Sequence, residues 1–469
     1  MGIHVNHELS TLQKALDINL DDSLYGSFAE IGAGQEVVRW FFQAGGAAGT
    51  IAKSMSAYDM QVSDAIYGSS DRYVSRMRLE AMLAYEQKLN RERLTEKRGA
   101  DTCFFTFADT VSARNFQGTN ECHAWMGLRF QVTPGGDDNL IIIHIRLLDD
   151  NNAAQQEAVG IVGVNLVHAA YRYHQEPETM LSLLRQSLSD WRIEVDMIDA
   201  SGPAFEGVDN RILSLKLVEL GLSGAAMFAA DGTVLQPSEA LRKKPVLVQR
   251  GRFRPITHVN MDMLESSLKA FEKHAGVQPG ETVPIMEISM HNLKEDSAVC
   301  LNDFLSRAEV VSSTGCTVMI SDYLRYFRLA AYLYRYTHRP IGIAMGLASL
   351  KSLFDEQYYE ELQGGILESF GRLFKNQLKL LVYPLKNPDT GAVENIDSLN
   401  LDSGLSHLLD YLVARDCVVP LKGASQEYLD IFSHDVLAQI ASGDASWEDK
   451  VPQQVAAKIR DERLFGYAG

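Results

Sequence analysis

The chain has 469 residues, of which 46% are hydrophobic and 22% charged, so it can hold one large domain or two to three domains and is too apolar to be disordered throughout. Its 44 Lys and Arg residues against 61 Asp and Glu residues give a formal net charge of −17, which repels nucleic-acid phosphates and anionic lipid headgroups. We therefore expect neither nucleic acid nor a membrane as a partner.

The five cysteines indicate a reducing compartment. Their number is odd, and they show neither a CxxC pair nor the Cys/His spacing of a zinc site. The N-terminal segment lacks a basic stretch followed by an apolar one, and no run of about 18 apolar residues follows. We therefore expect a cytoplasmic protein with free thiols.

Helical periodicity dominates residues 1–98, for example in VVRWFFQAG and RYVSRMRLEAMLAYEQKLNRERL, and a charged run closes this helical N-terminal region. Residues 99–386 alternate short apolar segments with amphipathic ones. The predicted strands are CFFTFADT, LIIIHIRLL, WRIEVDMID, GAAMFAAD, FRPITHVN, VPIMEISM, CTVMISD, RPIGIAMG and QLKLLVYP. This alternation predicts an α/β fold with a (β/α)-barrel-like parallel sheet, with a doubly wound open sheet as the alternative. Residues 387–469 form a predicted C-terminal extension.

Several predicted strands alternate with period two between apolar and polar residues, although strands covered by helices on both faces should be apolar throughout. In LIIIHIRLL the residues His144 and Arg146 share one face, and in WRIEVDMID the residues Glu194 and Asp196 do so. The polar rows of the two further alternating segments are Arg252, Arg254, His258 and Asn260, and Glu287, Ser289 and His291. If helices cover the apolar rows, the polar rows meet in one cavity; if some of these strands are antiparallel or at an edge, their polar rows face solvent instead.

The candidate site residues come from these rows. Acid–base chemistry is predicted for His258, Glu287, Asp196 and His144, because a histidine beside a carboxylate has a pKa near neutrality. Anion binding is predicted for Arg146, Arg254, Asn260 and Lys53. Each has a structural alternative, such as a core histidine, an internal salt bridge or, around Lys53, close helix packing through small residues. Asp196, Glu194, His144 and His258 could instead hold a divalent metal, although no short metal-binding motif is present.

Three further segments have some features of binding surfaces. GAGQEVV lacks the third glycine of a dinucleotide-binding loop, and AGGAAGTIAKS does not have the spacing of a phosphate-binding loop. The segment YLRYFRLAAYLYRYTHR interleaves tyrosines with arginines and is interpreted as a packing or subunit face, which favours a homo-oligomer.

Several motifs together resemble a family of poorly characterised bacterial proteins of similar length. They are FAEIGAGQEVVRWFFQAGGAAGTIAKSMSAYDM, SDAIYG, VDNRILSLKLV, GRFRPITHVNMDM, GGILESFGRLF and LFGY, and they span nearly the whole chain. Members of that family carry two incompatible names, nicotinate-nucleotide adenylyltransferase and TonB-dependent receptor. The receptor name would imply a signal peptide and many amphipathic barrel strands, and the sequence shows neither pattern.

The first of these names agrees with GRFRPITH, which is similar to the start of the nucleotidyltransferase signature, where [His/Thr]-x-Gly-His follows. Here the corresponding residues are Thr257, His258, Val259 and Asn260, so that Asn260 replaces the catalytic histidine. The motif also begins mid-chain, at Gly251.

Three hypotheses follow. The first is an enzyme, a transferase or lyase, that acts on a small phosphorylated or carboxylated metabolite by acid–base chemistry in a polar barrel cavity. The second is a nucleotidyltransferase that requires Mg²⁺. The third is a non-catalytic assembly or regulatory scaffold. The sequence leaves the cofactor unknown.

Overall fold

A computed structural model describes residues 9–295, 298–387 and 390–468. The first eight residues, which contributed to the expectation of a cytoplasmic location, are outside this range. The chain divides into two compact units, Met1–Ser223 and Gly224–Gly469. Neither predicted domain boundary, at 98/99 or at 386/387, coincides with this division. The charged run that suggested the first boundary is the end of a long helix that packs on the first unit's sheet.

The first unit contains a six-stranded mixed sheet. Its strands are β1 (Leu24–Gly32), β2 (Ile51–Ala57), β3 (Cys103–Ser112), β4 (His123–Phe130), β5 (Asn139–Leu147) and β6 (Ile193–Ser201). They lie in the order β2-β1-β3-β4-β5-β6. The pairs β1–β2 and β1–β3 are parallel, whereas β3 to β6 form an antiparallel meander. Short connections after β3 and β4 make these hairpins possible.

Helices cover both faces of this sheet. They are α1 (Thr11–Asn19), α2 (Val37–Ala44), α3 (Met60–Tyr67), α4 (Arg76–Arg98), α5 (Asn152–Tyr173), α6 (Pro177–Leu183) and α7 (Asn210–Glu219). Helix α5 is buried around its whole circumference from Ala158 to Ala170 and contacts α1 and α2. An apolar helix of this kind forms the centre of a core rather than its surface. Helix α4 packs against β1, β3 and β4, and Leu79 and Leu83 of α4 lie over Gly127 of β4.

A β-bulge interrupts β6. Residue His144 of β5 is paired with Met197, but Ile145 is paired with Val195, so Asp196 is an extra residue in β6. The side-chain alternation of β6 reverses at this point, which is the usual effect of one inserted residue. Before the bulge Val195 faces the main core, and after it Ile198 does.

The second unit is built on an eight-stranded sheet with the order β18-β15-β14-β9-β10-β13-β7-β8. The bounds of its strands are β7 (Ala225–Phe228), β8 (Val234–Leu235), β9 (Val246–Arg250), β10 (Val283–Ser289), β13 (Thr317–Ser321), β14 (Ile341–Gly346), β15 (Lys379–Tyr383) and β18 (Val418–Pro420). Two small hairpins add β11 (Lys294–Glu295) with β12 (Ala298–Val299) and β16 (Leu385–Lys386) with β17 (Val393–Glu394).

Six of the eight strands are parallel, from β13 through β10, β9, β14 and β15 to β18. In chain order β9 is followed by β10 and β13 on one side, and the chain then returns to place β14, β15 and β18 on the other. Numbered along the chain, these strands read 3-2-1-4-5-6, the order of a doubly wound sheet whose direction reverses between β9 and β14.

Most helices of the second unit lie between its strands, and the last two follow the final strand, β18. The helices are α8 (Pro237–Leu241), α9 (His258–Ala275), α10 (Met290–Leu293), α11 (Leu301–Ser312), α12 (Tyr326–Leu333), α13 (Leu347–Leu353), α14 (Gly365–Leu373), α15 (Ser403–Ala414), α16 (Ser433–Ser442) and α17 (Gln453–Glu462). The strands β14 and β15 are apolar on both faces, as the predicted helical cover requires.

The structure confirms the mixed α/β class but not the barrel. The strands form two open sheets, each with two edge strands, and the second has the doubly wound order given as the alternative. The predicted strand FRPITHVN is a loop followed by the first turn of α9. None of the helices in the described ranges is long and apolar enough to cross a membrane.

Candidate functional site

A cavity of about 620 Å³ lies at the carboxyl ends of the second unit's parallel strands. We call it the carboxyl-edge pocket. Residues that follow β9, β10, β13 and β14 line it, so that it spans the point where the strand order reverses. Its lining is Arg250, Gly251, Arg252, His291, Asn292, Leu324, Arg325, Tyr326, Ser349, Ser352, Leu353, Tyr358 and Tyr359. Open α/β sheets bind their ligands at this position.

Arg250, the last residue of β9, is held rigidly in this pocket. Glu287 of β10 is fully buried and accepts two hydrogen bonds from Arg250, of 2.6 Å to Nε and 2.8 Å to Nη2. The hydroxyl of Ser321 also donates to Glu287, and the carbonyls of Tyr323 and Leu324 accept from Arg250 at 2.6 and 2.9 Å. Burial lowers the pKa of Arg250, but the charge of Glu287, its hydrogen bonds and Tyr326 together outweigh burial, so that the net pKa is raised. The guanidinium is therefore permanently charged and fixed in orientation.

Two more arginines border the pocket. Within the described part of the chain, Arg252 and Arg325 make no ion pair, and the Arg325 guanidinium lies 4.5 Å from the centre of the Tyr358 ring. The Arg250 guanidinium lies 4.7 Å from the centre of the Tyr326 ring in the same way. The described lining contains no acidic residue, so the pocket is cationic within an acidic protein. This charge favours an anionic ligand.

The motif GRFRPITH forms the loop from β9 to α9. Gly251 is required by packing, because a Cβ at this position would lie 2.6 Å from the ring of the buried Phe253. At the end of the loop, the backbone N–H and the hydroxyl of Thr257 donate to Asn260 Oδ1 at 2.9 and 3.1 Å. Asn260 therefore stabilises the first turn of α9.

Four of the predicted site residues belong to each unit. In the first unit the polar rows do pair across strands. His144 Nδ1 lies 2.5 Å from Asp196 Oδ1, and Arg146 Nη1 lies 2.6 Å from Glu194 Oε2. Lys53 pairs with the buried Glu86, which also accepts a hydrogen bond of 2.8 Å from Tyr67. Lys53 therefore has a charge partner within its own unit.

In the second unit only Glu287 acts on the pocket, through Arg250. His258 is the first residue of α9 and not a strand end, and its ring stacks on Tyr428 with centroids 5.0 Å apart. Arg254 forms an ion pair of 2.8 Å with Asp303. The carboxyl-edge pocket contains neither His258 nor Arg254, but it does contain His291 of the polar row that includes Glu287.

Sequence reasoning missed Arg250, Arg325 and Tyr326 in the pocket and His123 in the first unit. The run VLVQ, which directly precedes Arg250 and Gly251, has the pattern of a strand. The segment HAWMGLRF also has the pattern of a strand, with the same alternation as LIIIHIRLL. The helix interpreted as a subunit face begins with the pocket residues Arg325 and Tyr326. In the described ranges no group of three or more His, Cys, Asp or Glu side chains is placed to hold a metal ion.

Comparison with known proteins identifies no relative. No family model and no curated protein matches the sequence. Among solved structures, a competence-damaged protein (CinA) superfamily protein from Enterobacter cloacae is similar over 36% of this chain and 98% of its own, with 11% identity and a TM-score of 0.28. The competence/damage inducible protein CihA from Agrobacterium tumefaciens is similar over 34% of this chain and 94% of its own, with 16% identity and a TM-score of 0.26. At these TM-scores the similarity supports no conclusion about the fold or the function of this chain.

Proposed function

We propose that the second unit binds a small phosphorylated ligand, of the nucleotide class, in the carboxyl-edge pocket. One observation carries this proposal: the cationic pocket lies where the strand order of a doubly wound sheet reverses. The ligand belongs to the class of small anionic metabolites expected from the sequence. Its proposed site is this pocket and not a barrel cavity.

The chemistry of the lining favours phosphate. Arginine presents a planar fork of N–H donors that matches phosphate oxygens, and Arg252 and Arg325 have no ion pair within the described chain that would compete. Tyr326 and Tyr358 add aromatic faces next to these cations, on which a planar base can stack. A ligand with a base and a phosphate uses both features, whereas a simple carboxylate uses only the arginines.

Nucleotidyl transfer is a second candidate, favoured by the position of GRFRPITH. The motif is mid-chain in the sequence, but it directly follows β9, the first strand of the doubly wound order. Asn260 departs from the signature and caps α9, so the catalytic histidine of the signature has no counterpart at this position. Release of pyrophosphate from ATP in the presence of nicotinate mononucleotide and Mg²⁺ tests this candidate, and its absence would leave the binding proposal standing.

Calorimetric titration with ATP and, separately, with inorganic pyrophosphate tests the binding proposal. Arg252→Ala and Arg325→Ala should each weaken ATP binding by about tenfold or more, because a hydrogen bond to a charged group contributes about 1.5–3 kcal/mol. Arg415→Ala is the matched control, since Arg415 is an exposed arginine of the same unit outside the pocket. Equal affinity in all four proteins, or no binding of either compound to the wild type, would refute the proposal.

A further inference from the structure

Three side chains of the first unit form a hydrogen-bonded chain across β4, β5 and β6. His123 Nδ1 lies 2.9 Å from His144 Nε2, and His144 Nδ1 lies 2.5 Å from Asp196 Oδ1. His144 and Asp196 are 0% exposed, whereas His123 is 6% exposed. The chain therefore leads from a buried carboxylate to a histidine at the edge of the solvent.

The fold deviates from regular pairing at the carboxylate end of this chain. Asp196 is the extra residue of the β6 bulge, opposite the step from His144 to Ile145. In a regular strand, Asp196 and its neighbour Met197 would lie on opposite faces of the sheet. With the bulge, neither residue belongs to the main core. Bulges re-aim side chains and are frequent beside active sites. The bulge is an observation independent of the hydrogen bonds.

One choice of tautomers satisfies both hydrogen bonds. With Asp196 Oδ1 as the acceptor, His144 donates from Nδ1, and Nε2 of the same ring is then the acceptor for His123. His123 must donate to that atom from Nδ1, which leaves Nε2 of His123 unprotonated. Within the described chain no residue hydrogen-bonds this Nε2. The outer nitrogen is thus a free proton acceptor.

The surroundings determine where positive charge can reside. Burial, then the neighbouring His144, and then Arg72 and Arg146 lower the pKa of His123 to about 3. When Nε2 of His123 takes a proton, Nδ1 can release its own to Nε2 of His144, and the charge then lies beside Asp196. Arg146 is directly opposite His123 in the β4–β5 pairing. The two arginines disfavour positive charge on His123, and Arg146 also forms its ion pair with Glu194.

We propose that His123 Nε2 is the proton-transferring atom of a second site, in the first unit, with His144 and Asp196 as positioning residues. In the forward step the bond from the substrate to its proton breaks, the proton binds Nε2, and the electron pair stays on the substrate. The proton returns to product or solvent by the reverse transfers.

Reactivity with diethyl pyrocarbonate tests the relay. This reagent transfers a carbethoxy group to an unprotonated imidazole nitrogen and releases ethanol and carbon dioxide, and mass spectrometry of the peptide that contains His123 follows the reaction. In Asp196→Asn the amide can donate to His144 Nδ1, which reverses both tautomers and places a proton on His123 Nε2. We expect the rate at His123 to fall by about tenfold or more, since a charge-assisted hydrogen bond sets the preference. An unreactive wild-type His123, or an unchanged rate in the variant, would overturn the proposal.

Asp199→Asn is the matched control, because Asp199 is on the same strand and carries the same charge but binds Arg76 and Asn210 instead. Its His123 rate should equal that of the wild type. If Asp196→Asn does not fold, imidazole ¹⁵N spectra of the wild type decide, since a protonated Nε2 on His123 at neutral pH contradicts the relay.

Discussion

Replacing Glu30 with Gln should change how the stability of the first unit depends on pH. Glu30 of β1 is opposite Asp109 of β3 in the parallel pairing, and the two residues are 1% and 0% exposed. Burial raises the pKa of Glu30 to about 8, against the opposing hydrogen bonds from the backbone N–H groups of Val37 and Val38. Burial, and then the charge of Glu30, also raises the pKa of Asp109 well above its ordinary value.

The direction of the effect follows from proton linkage. Between a pKa near 4.5 in the unfolded chain and about 8 in the fold, the folded protein holds a proton that the unfolded chain has lost. The free energy of unfolding therefore falls as pH rises through this window, by at most about 1.4 kcal/mol per pH unit for one proton. Glutamine keeps an oxygen for the Val37 N–H but cannot ionise. The free energy of unfolding of Glu30→Gln should therefore fall less steeply with pH, by up to about 1.4 kcal/mol per pH unit. The variant should be more stable than the wild type at pH 8 and above.

Urea unfolding at pH values from 5 to 9 measures the effect. The intrinsic fluorescence of Trp40, Trp125 and Trp191 in a Trp447→Phe background is the signal of the first unit. Glu157→Gln is the control, because the Glu157 side chain is 56% exposed and should leave the slope unchanged. Parallel stability curves for the wild type and Glu30→Gln between pH 6 and 8 would refute the argument that a buried proton is held there.

Three further outcomes are expected. Glu287→Ala leaves the Arg250 charge without its carboxylate and should destabilise the second unit by about 3–5 kcal/mol, measured by calorimetric unfolding, while Glu287→Gln should cost less. Gly34→Ala should lower the melting temperature, because the new Cβ would clash with the buried carboxylate of Asp109, at a cost of about 1–3 kcal/mol, whereas Gly49→Ala meets no atom within 4 Å and should be neutral. All five cysteines are free, so each should react with a thiol reagent in the denatured, unreduced protein, and a stoichiometric deficit would contradict this.

The alternation of polar and apolar residues identified one strand face in LIIIHIRLL but not the strand partners, and in FRPITHVN it marked a segment that is no strand. It placed His144 and Arg146 on one face, and the structure pairs them with Asp196 and Glu194 on the next strand. Alternation alone cannot distinguish a parallel barrel strand from an antiparallel strand with one polar face. The deciding information was in HAWMGLRF, whose short connections to its neighbours make hairpins and exclude a parallel crossover.

The bulge in β6 could not have been predicted from local pattern. The sequence places Val195 and Met197 on the same face, yet only Val195 faces the main core, because the inserted Asp196 reverses the alternation between them. A bulge is specified by the register of two strands that are far apart in the chain, and a single strand carries no record of it. The hydrogen-bonded chain from His123 to Asp196 depends on that register, which is why only part of it was found.

In the second unit, the contact between Glu287 and Arg250 could not be predicted for the same reason. Both were accessible to sequence reasoning as charged residues at the ends of apolar runs, but their contact requires β9 and β10 to be neighbours, which is a property of the strand order. Asn260 illustrates the opposite case, since its spacing of three residues from Thr257 is a local capping signal that the sequence contains in full. Interpreted in this way, Asn260 holds the start of α9 in place while the arginines of the carboxyl-edge pocket provide the charge. A search for ligand-binding residues in this chain should therefore begin at the strand ends on either side of the reversal rather than at the residues that complete the motif.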